Sequence, residues 1–151
     1  MKNKVDVRTE IIISCTLEKL SEYTSDPDNA PNWYVNIKSV EWKTPKPLQI
    51  NSKIAFKAEF LGKALSYVYE IVEYLPGEKL VMRTSDGPFP METTYTWQSL
   101  PNAQTKMCLR NAGMPTGFSK WMSPFIKWAM RKANLNDLKL LKKIMERNQE
   151  S

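Results

Sequence analysis

Asp137 is the side chain best placed in this sequence for proton transfer in a dry site. Its neighbours three and four positions away are Ala133, Asn134, Leu140 and Leu141, none of them basic, so no ion pair along a helix face accounts for it. Buried, the carboxyl needs a partner such as Arg83, Arg110 or a tyrosine hydroxyl, or its pKa rises. A desolvated carboxyl beside tyrosines can act as general acid or base in a cyclisation or dehydration. Aspartate is rarely fully buried, however, and the sequence favours a rim residue in water. Asp137 is the single catalytic candidate, and no reaction is assigned to it.

Aromatic and methionine side chains supply the second feature. Phe56, Phe60, Tyr67, Tyr69, Met82, Met91, Tyr95 and Met107 share one parity within their segments. Met130 falls on the apolar side of the C-terminal segment, and Trp121, Phe125 and Trp128 stand near its start. Small-molecule pockets are mostly apolar with a few placed polar groups, and methionine gives an adaptable lining. The first eight, with Met130, Trp121 and Phe125, are the expected ligand-binding set of eleven, and Trp128 joins Trp121 and Phe125 in closing the mouth. The competing reading is that they simply fill a core. Arg83 and Arg110 are expected to face outward.

Other chemistries are excluded. The chain has no histidine, which removes Ser-His-Asp and Cys-His catalysis and histidine metal sites. It has no phosphate-cradling glycine motif. No cofactor or metal is expected. Cys15 and Cys108 are far apart, belong to no ligand cluster, and read as small core residues.

Positioning these side chains falls to a sheet and a helix. Val5 to Ile13 reads as a first strand. Thr16 offers an N-cap for a helix that stops near Ser25, ahead of the Asp26-Pro27-Asp28 turn. A short helical turn follows through Asn29 to Trp33. From about Asn36 to Asn111 the period is two, broken at Leu61-Gly62-Lys63, Pro76-Gly77-Glu78, Asp86-Gly87-Pro88 and Pro101-Asn102-Ala103. Short links between successive strands predict an antiparallel meander, apolar on one face.

The C-terminal segment is helical from Ser123-Pro124 to about Arg147, with an earlier turn over Gly117 to Met122 as an alternative. Ile126, Ala129, Met130, Ala133, Leu138, Leu140, Leu141, Ile144 and Met145 form a broad apolar arc, and Arg131, Lys132, Lys139, Lys142 and Lys143 lie opposite. So wide an arc suits a helix wrapped by a concave sheet. The alanines leave space beside it.

At 151 residues and 42% apolar content the chain is expected to form one domain over residues 1–151. The net charge of +6 owes much to the interval from Lys120 to Arg147, where eight basic residues face only Asp137 and Glu146. That charge favours anionic partners. No helix-turn-helix, zinc or RRM signature accompanies it, so nucleic acid is disfavoured. The N-terminus has no signal-like apolar stretch and no run reaches spanning length, so a cytoplasmic location is expected.

Several segments in this order resemble the START-like superfamily (also called SRPBCC or Bet v 1-like), within it the polyketide cyclase/dehydrase and lipid-transport group. They are Asp26 to Trp33, the Pro-Gly hairpin from Glu73 to Val81, Gly87-Pro88-Phe89-Pro90 before a strand, and Asp137-Leu138-Lys139-x-Leu141. The resemblance covers nearly the whole chain. It implies an α+β helix-grip fold, a curved antiparallel sheet around a long C-terminal helix, with two short helices after the first strand. It implies no shared catalytic residue, because its members include lipid and hormone carriers, aromatic cyclases and chaperone activators.

Three functions follow as expectations. The first is a carrier or sensor holding a small hydrophobic or aromatic molecule, lipid or polyketide-like, between sheet and helix. The second is a cyclase or dehydratase using Asp137 and tyrosines. The third is a protein- or membrane-interaction module using the basic helix. The oligomeric state is not encoded in any of these features.

Overall fold

The structure is a computed structural model that describes residues 5–86, 90–113 and 123–150. The expected turn at Asp86 to Pro88, the alternative helix start over Gly117 to Met122, and Trp121 fall wholly or partly outside the described residues.

Strand β1 (Val5–Ile13) leads into α1 (Leu17–Ser25), a 3₁₀ turn (Pro27–Asn29) and α2 (Ala30–Trp33). Six strands follow: β2 (Ile37–Trp42), β3 (Lys53–Phe60), β4 (Lys63–Leu75), β5 (Lys79–Asp86), β6 (Met91–Leu100) and β7 (Gln104–Gly113). Helix α3 (Ser123–Glu150) is three residues longer than the sequence predicts. The sheet order is β1-β7-β6-β5-β4-β3-β2, antiparallel throughout. Strands β2 to β7 are the expected meander. The short helices carry the chain from β1 at one edge to β2 at the other, and the curled sheet embraces α3 in the expected helix-grip arrangement.

Local chemistry explains the joints. The Thr16 hydroxyl accepts from the Lys19 N–H at 3.3 Å and starts α1, and the Asp26 carboxylate accepts from the Asp28 N–H at 3.0 Å to start the 3₁₀ turn. Asp28 then ties this crossover to the strand region, accepting from Trp42 Nε1 at 2.9 Å and Lys46 Nζ at 2.7 Å. The β3–β4 hairpin turns through Leu61 and Gly62, both at positive φ (53° and 77°), the conformation a two-residue turn needs to match strand twist.

Helix α3 packs along β1 and shields that edge strand. Lys142 Nζ donates to the Ile12 carbonyl at 3.1 Å and Arg131 Nη1 to the Arg8 carbonyl at 3.4 Å. Capping edge carbonyls in this way closes a template for unwanted strand pairing. Part of the basic face therefore has a structural task. Cys15 is buried as expected, whereas Cys108 is only half-buried and both thiols are free.

The apolar stripe of α3 divides the interior. At its C-terminal end Leu138, Leu141 and Met145 pack in a closed core with Trp33, Trp97 and Met107. At its N-terminal end Ile126 and Met130 meet Val5, Val7 and Met91, with Phe60, Tyr67 and Tyr69 only partly buried against them. Between these groups the helix presents Ala133, Asn134 and Asp137 to the concave face, and the interior is hollow there.

Candidate ligand-binding cavity

The hollow encloses about 160 Å³, comparable with an engineered apolar cavity of about 150 Å³ that accepts benzene. Strands β3 and β4 supply one wall with Phe56, Phe60, Tyr67 and Tyr69. Period-two alternation turns all four to the concave face, and Phe56 meets Tyr69 edge-on with ring centres 5.8 Å apart. Met82, Met91 and Tyr95 come from β5 and β6, and Met130 and Ala133 from α3. Eight of the eleven sequence-predicted residues thus surround one space.

The remaining three do not. Met107 points inward as its parity requires, but the sheet carries it into the closed core, where it is fully buried away from the cavity wall. Phe125 lies one position off the buried stripe marked by Ile126. It is 48% exposed and stacks on Trp128 at 6.0 Å, itself 57% exposed. Trp121 lies outside the described residues. Trp128 faces a shallower groove of about 230 Å³ that shares Asn36, Phe60, Ala133 and Asp137 with the cavity. Lys132 Nζ sits 5.3 Å over its ring. Trp128 therefore lines this groove and not the cavity itself.

Asp137 corrects the expectation of a rim residue in water: it is 3% exposed. Its Oδ1 accepts from the Val35 N–H at 2.9 Å, and neither arginine is its partner. Arg83 pairs with Glu92 and Arg110 with Asp6, both at the exposed face of the sheet. Burial moves the Asp137 carboxyl up from 3.8 to about 7, with the Val35 hydrogen bond pulling the other way. At neutral pH it therefore exists in both protonation states.

The tyrosines around it are held protonated. Burial raises Tyr34, Tyr67, Tyr69 and Tyr95, and the nearby Asp137 charge adds to the rise for Tyr34 and Tyr95. Tyr34 and Tyr95 hydrogen-bond to each other through their hydroxyls. They serve as donors or acceptors near neutrality, not as bases.

A polar line along the opposite wall escaped the sequence reading. Thr93 Oγ1 donates to Asn111 Oδ1 at 2.6 Å, and Asn111 Nδ2 donates to Asn134 Oδ1 at 3.1 Å. All three residues line the cavity. The signal was available, since Thr93 shares the parity of Met91 and Tyr95, Asn111 continues that of Met107 and Leu109, and Asn134 lies one turn from Asp137. Tyr34 follows a short helical turn and carries no periodic signal.

A curled seven-stranded sheet closed by a long helix over an internal hollow defines the START-like class. The chain belongs to the polyketide cyclase/dehydrase and lipid transport family, whose profile matches residues 4–146. Solved structures share its fold at low identity. A START superfamily protein from Mycobacterium smegmatis is 15% identical, with 94% of this chain and 97% of that one covered and a TM-score of 0.79. The Zhui aromatase/cyclase from a Streptomyces species is 11% identical, with 95% and 94% covered and a TM-score of 0.80. Major latex-like protein 151 from Panax ginseng is 10% identical, with 95% and 98% covered and a TM-score of 0.75. No curated protein matches the chain in sequence. Among the described residues no helix is long and apolar enough to cross a membrane.

Proposed function

We propose that this domain holds a small hydrophobic or aromatic molecule in the cavity between its sheet and α3, as a carrier or sensor. The observation that carries this reading is the hollow itself, walled by aromatic and methionine side chains with few polar groups. A folded chain ordinarily fills such space, because unfilled volume forfeits packing energy. The volume suits a ligand on the scale of one aromatic ring as the side chains stand.

Thermal denaturation against a panel of small aromatic compounds tests the proposal, since a ligand that binds only the folded state raises its stability in step with concentration. Several members of the panel are expected to raise Tm. Ala133→Phe, which fills the hollow from α3, is expected to keep the fold and cancel those shifts. Shifts that survive in this variant place binding elsewhere and sink the cavity reading.

A second reading is favoured by Asp137. A buried carboxyl at about 7 on the wall of an apolar cavity matches what general acid–base chemistry at neutral pH requires. In a dehydration it would take a proton from carbon as carboxylate and return one to a departing hydroxyl as acid. Asp137→Asn is then expected to abolish turnover of a cyclisable poly-ketone while leaving its binding within about threefold. Turnover unchanged in that variant removes the catalytic reading and leaves the carrier.

A further inference from the structure

Two described side-chain polar atoms are buried without a hydrogen-bond partner, Trp33 Nε1 and Asn134 Nδ2. Trp33 belongs to the closed core. Asn134 differs in that it is 4% exposed yet lies on the cavity wall. Its own carbonyl is already used by Asn111, which is in turn fixed by Thr93. In this arrangement its N–H₂ group is left over. Buried donors are nearly always satisfied, and one left unmet carries a desolvation cost.

Charge narrows what can meet it. Of the described residues lining the cavity none is basic, and two, Glu59 and Asp137, are acidic. An anion entering this space would lose its hydration and gain no counter-charge, which is strongly unfavourable. An uncharged acceptor needs no such compensation.

Resting on the cavity reading above, we infer that Asn134 is a recognition subsite for the carbonyl oxygen of an uncharged apolar ligand, and that the cavity rejects carboxylate and phosphate ligands of the same size. The Thr93–Asn111–Asn134 line orients the donor, and the aromatic wall of β3 and β4 takes the ligand's hydrocarbon part. Asp137, one turn along α3 from Asn134, strengthens the rejection of anions.

Three one-ring compounds of nearly equal shape test this: acetophenone, benzoate and cumene, titrated at about pH 8 and followed by amide chemical shifts of the labelled protein. Acetophenone is expected to bind at least about tenfold more tightly than benzoate. In Asn134→Leu, of similar volume, the affinity ratio of acetophenone to cumene is expected to fall about tenfold, the worth of one buried hydrogen bond. An unchanged ratio overturns the subsite while leaving the cavity reading standing. Benzoate binding as tightly as acetophenone in the unaltered protein also overturns it, with no variant required. Binding by none of the three up to their solubility overturns the cavity reading and the subsite together.

Discussion

The two ends of the α3–sheet interface use the same architecture and reach opposite results. Towards the C-terminus the helix offers Leu138, Leu141 and Met145, and these close against Trp33, Trp97 and Met107. Two polar groups there are satisfied internally, Trp97 Nε1 donating to Thr24 Oγ1 at 3.1 Å and Thr105 Oγ1 to the Cys15 carbonyl at 2.8 Å, while Trp33 Nε1 is buried without a partner. Nearer its N-terminus, up to Asp137, the helix offers Met130, Ala133, Asn134 and Asp137, facing large rings on β3 and β4, and the space does not close. Short side chains on the helix, opposite rings too stiff to collapse inward, leave volume. The contrast teaches that the hollow is set by what α3 withholds as much as by what the sheet supplies.

The comparison can be broken by mutation. Leu141→Ala in the closed end is expected to cost about 3 kcal/mol, because the removed methylenes leave a void that tight neighbours cannot fill. Met130→Ala beside the hollow is expected to cost roughly half as much, since its loss only widens an existing space. Urea midpoints of the two variants check this. Equal losses mean that the hollow end is packed as firmly as the other.

Asp137 sharpens the same comparison through pH. Its pKa is higher folded than unfolded, so the folded state binds the extra proton, and stability falls as pH rises from about 4 to above 7. The full movement from 3.8 to about 7 corresponds to an upper bound of roughly 4 kcal/mol. The net loss at pH 8 is expected to be about 2 kcal/mol, because rearrangement around a hollow relieves part of it. Asp137→Asn should be more stable than the parent at about pH 8, with the gap closing towards pH 4. A stability difference that does not change across this interval puts the carboxyl in water after all.

Much of the fold was legible in the sequence because it rests on periodicity and turn chemistry. The boundaries of β1, the Thr16 cap, the stop at Ser25 and the meander followed from side-chain alternation and breakers. The site was legible only in part. Parity correctly turned Met107 inward but carries no information on depth along a strand, and the sheet's curl placed it in the closed core. Phe125, expected at the mouth, lies one position, about 100° of rotation, from the buried stripe that Ile126 correctly marked. For Asp137 the sequence showed only that no basic neighbour lies along the helix, and the donor that makes burial tolerable is the Val35 N–H, 102 residues away in sequence.

By itself the sequence determined the strands, the long amphipathic helix, the inward set of aromatic and methionine side chains, and the absence of histidine chemistry. These depend on local backbone preference and on which residues repel water. Only the tertiary structure decided that Asp137 is dry, that Thr93, Asn111 and Asn134 join in one line, and that a hollow remains beside them. Those outcomes depend on distances between segments far apart in the chain, where packing and desolvation act and periodicity has no reach.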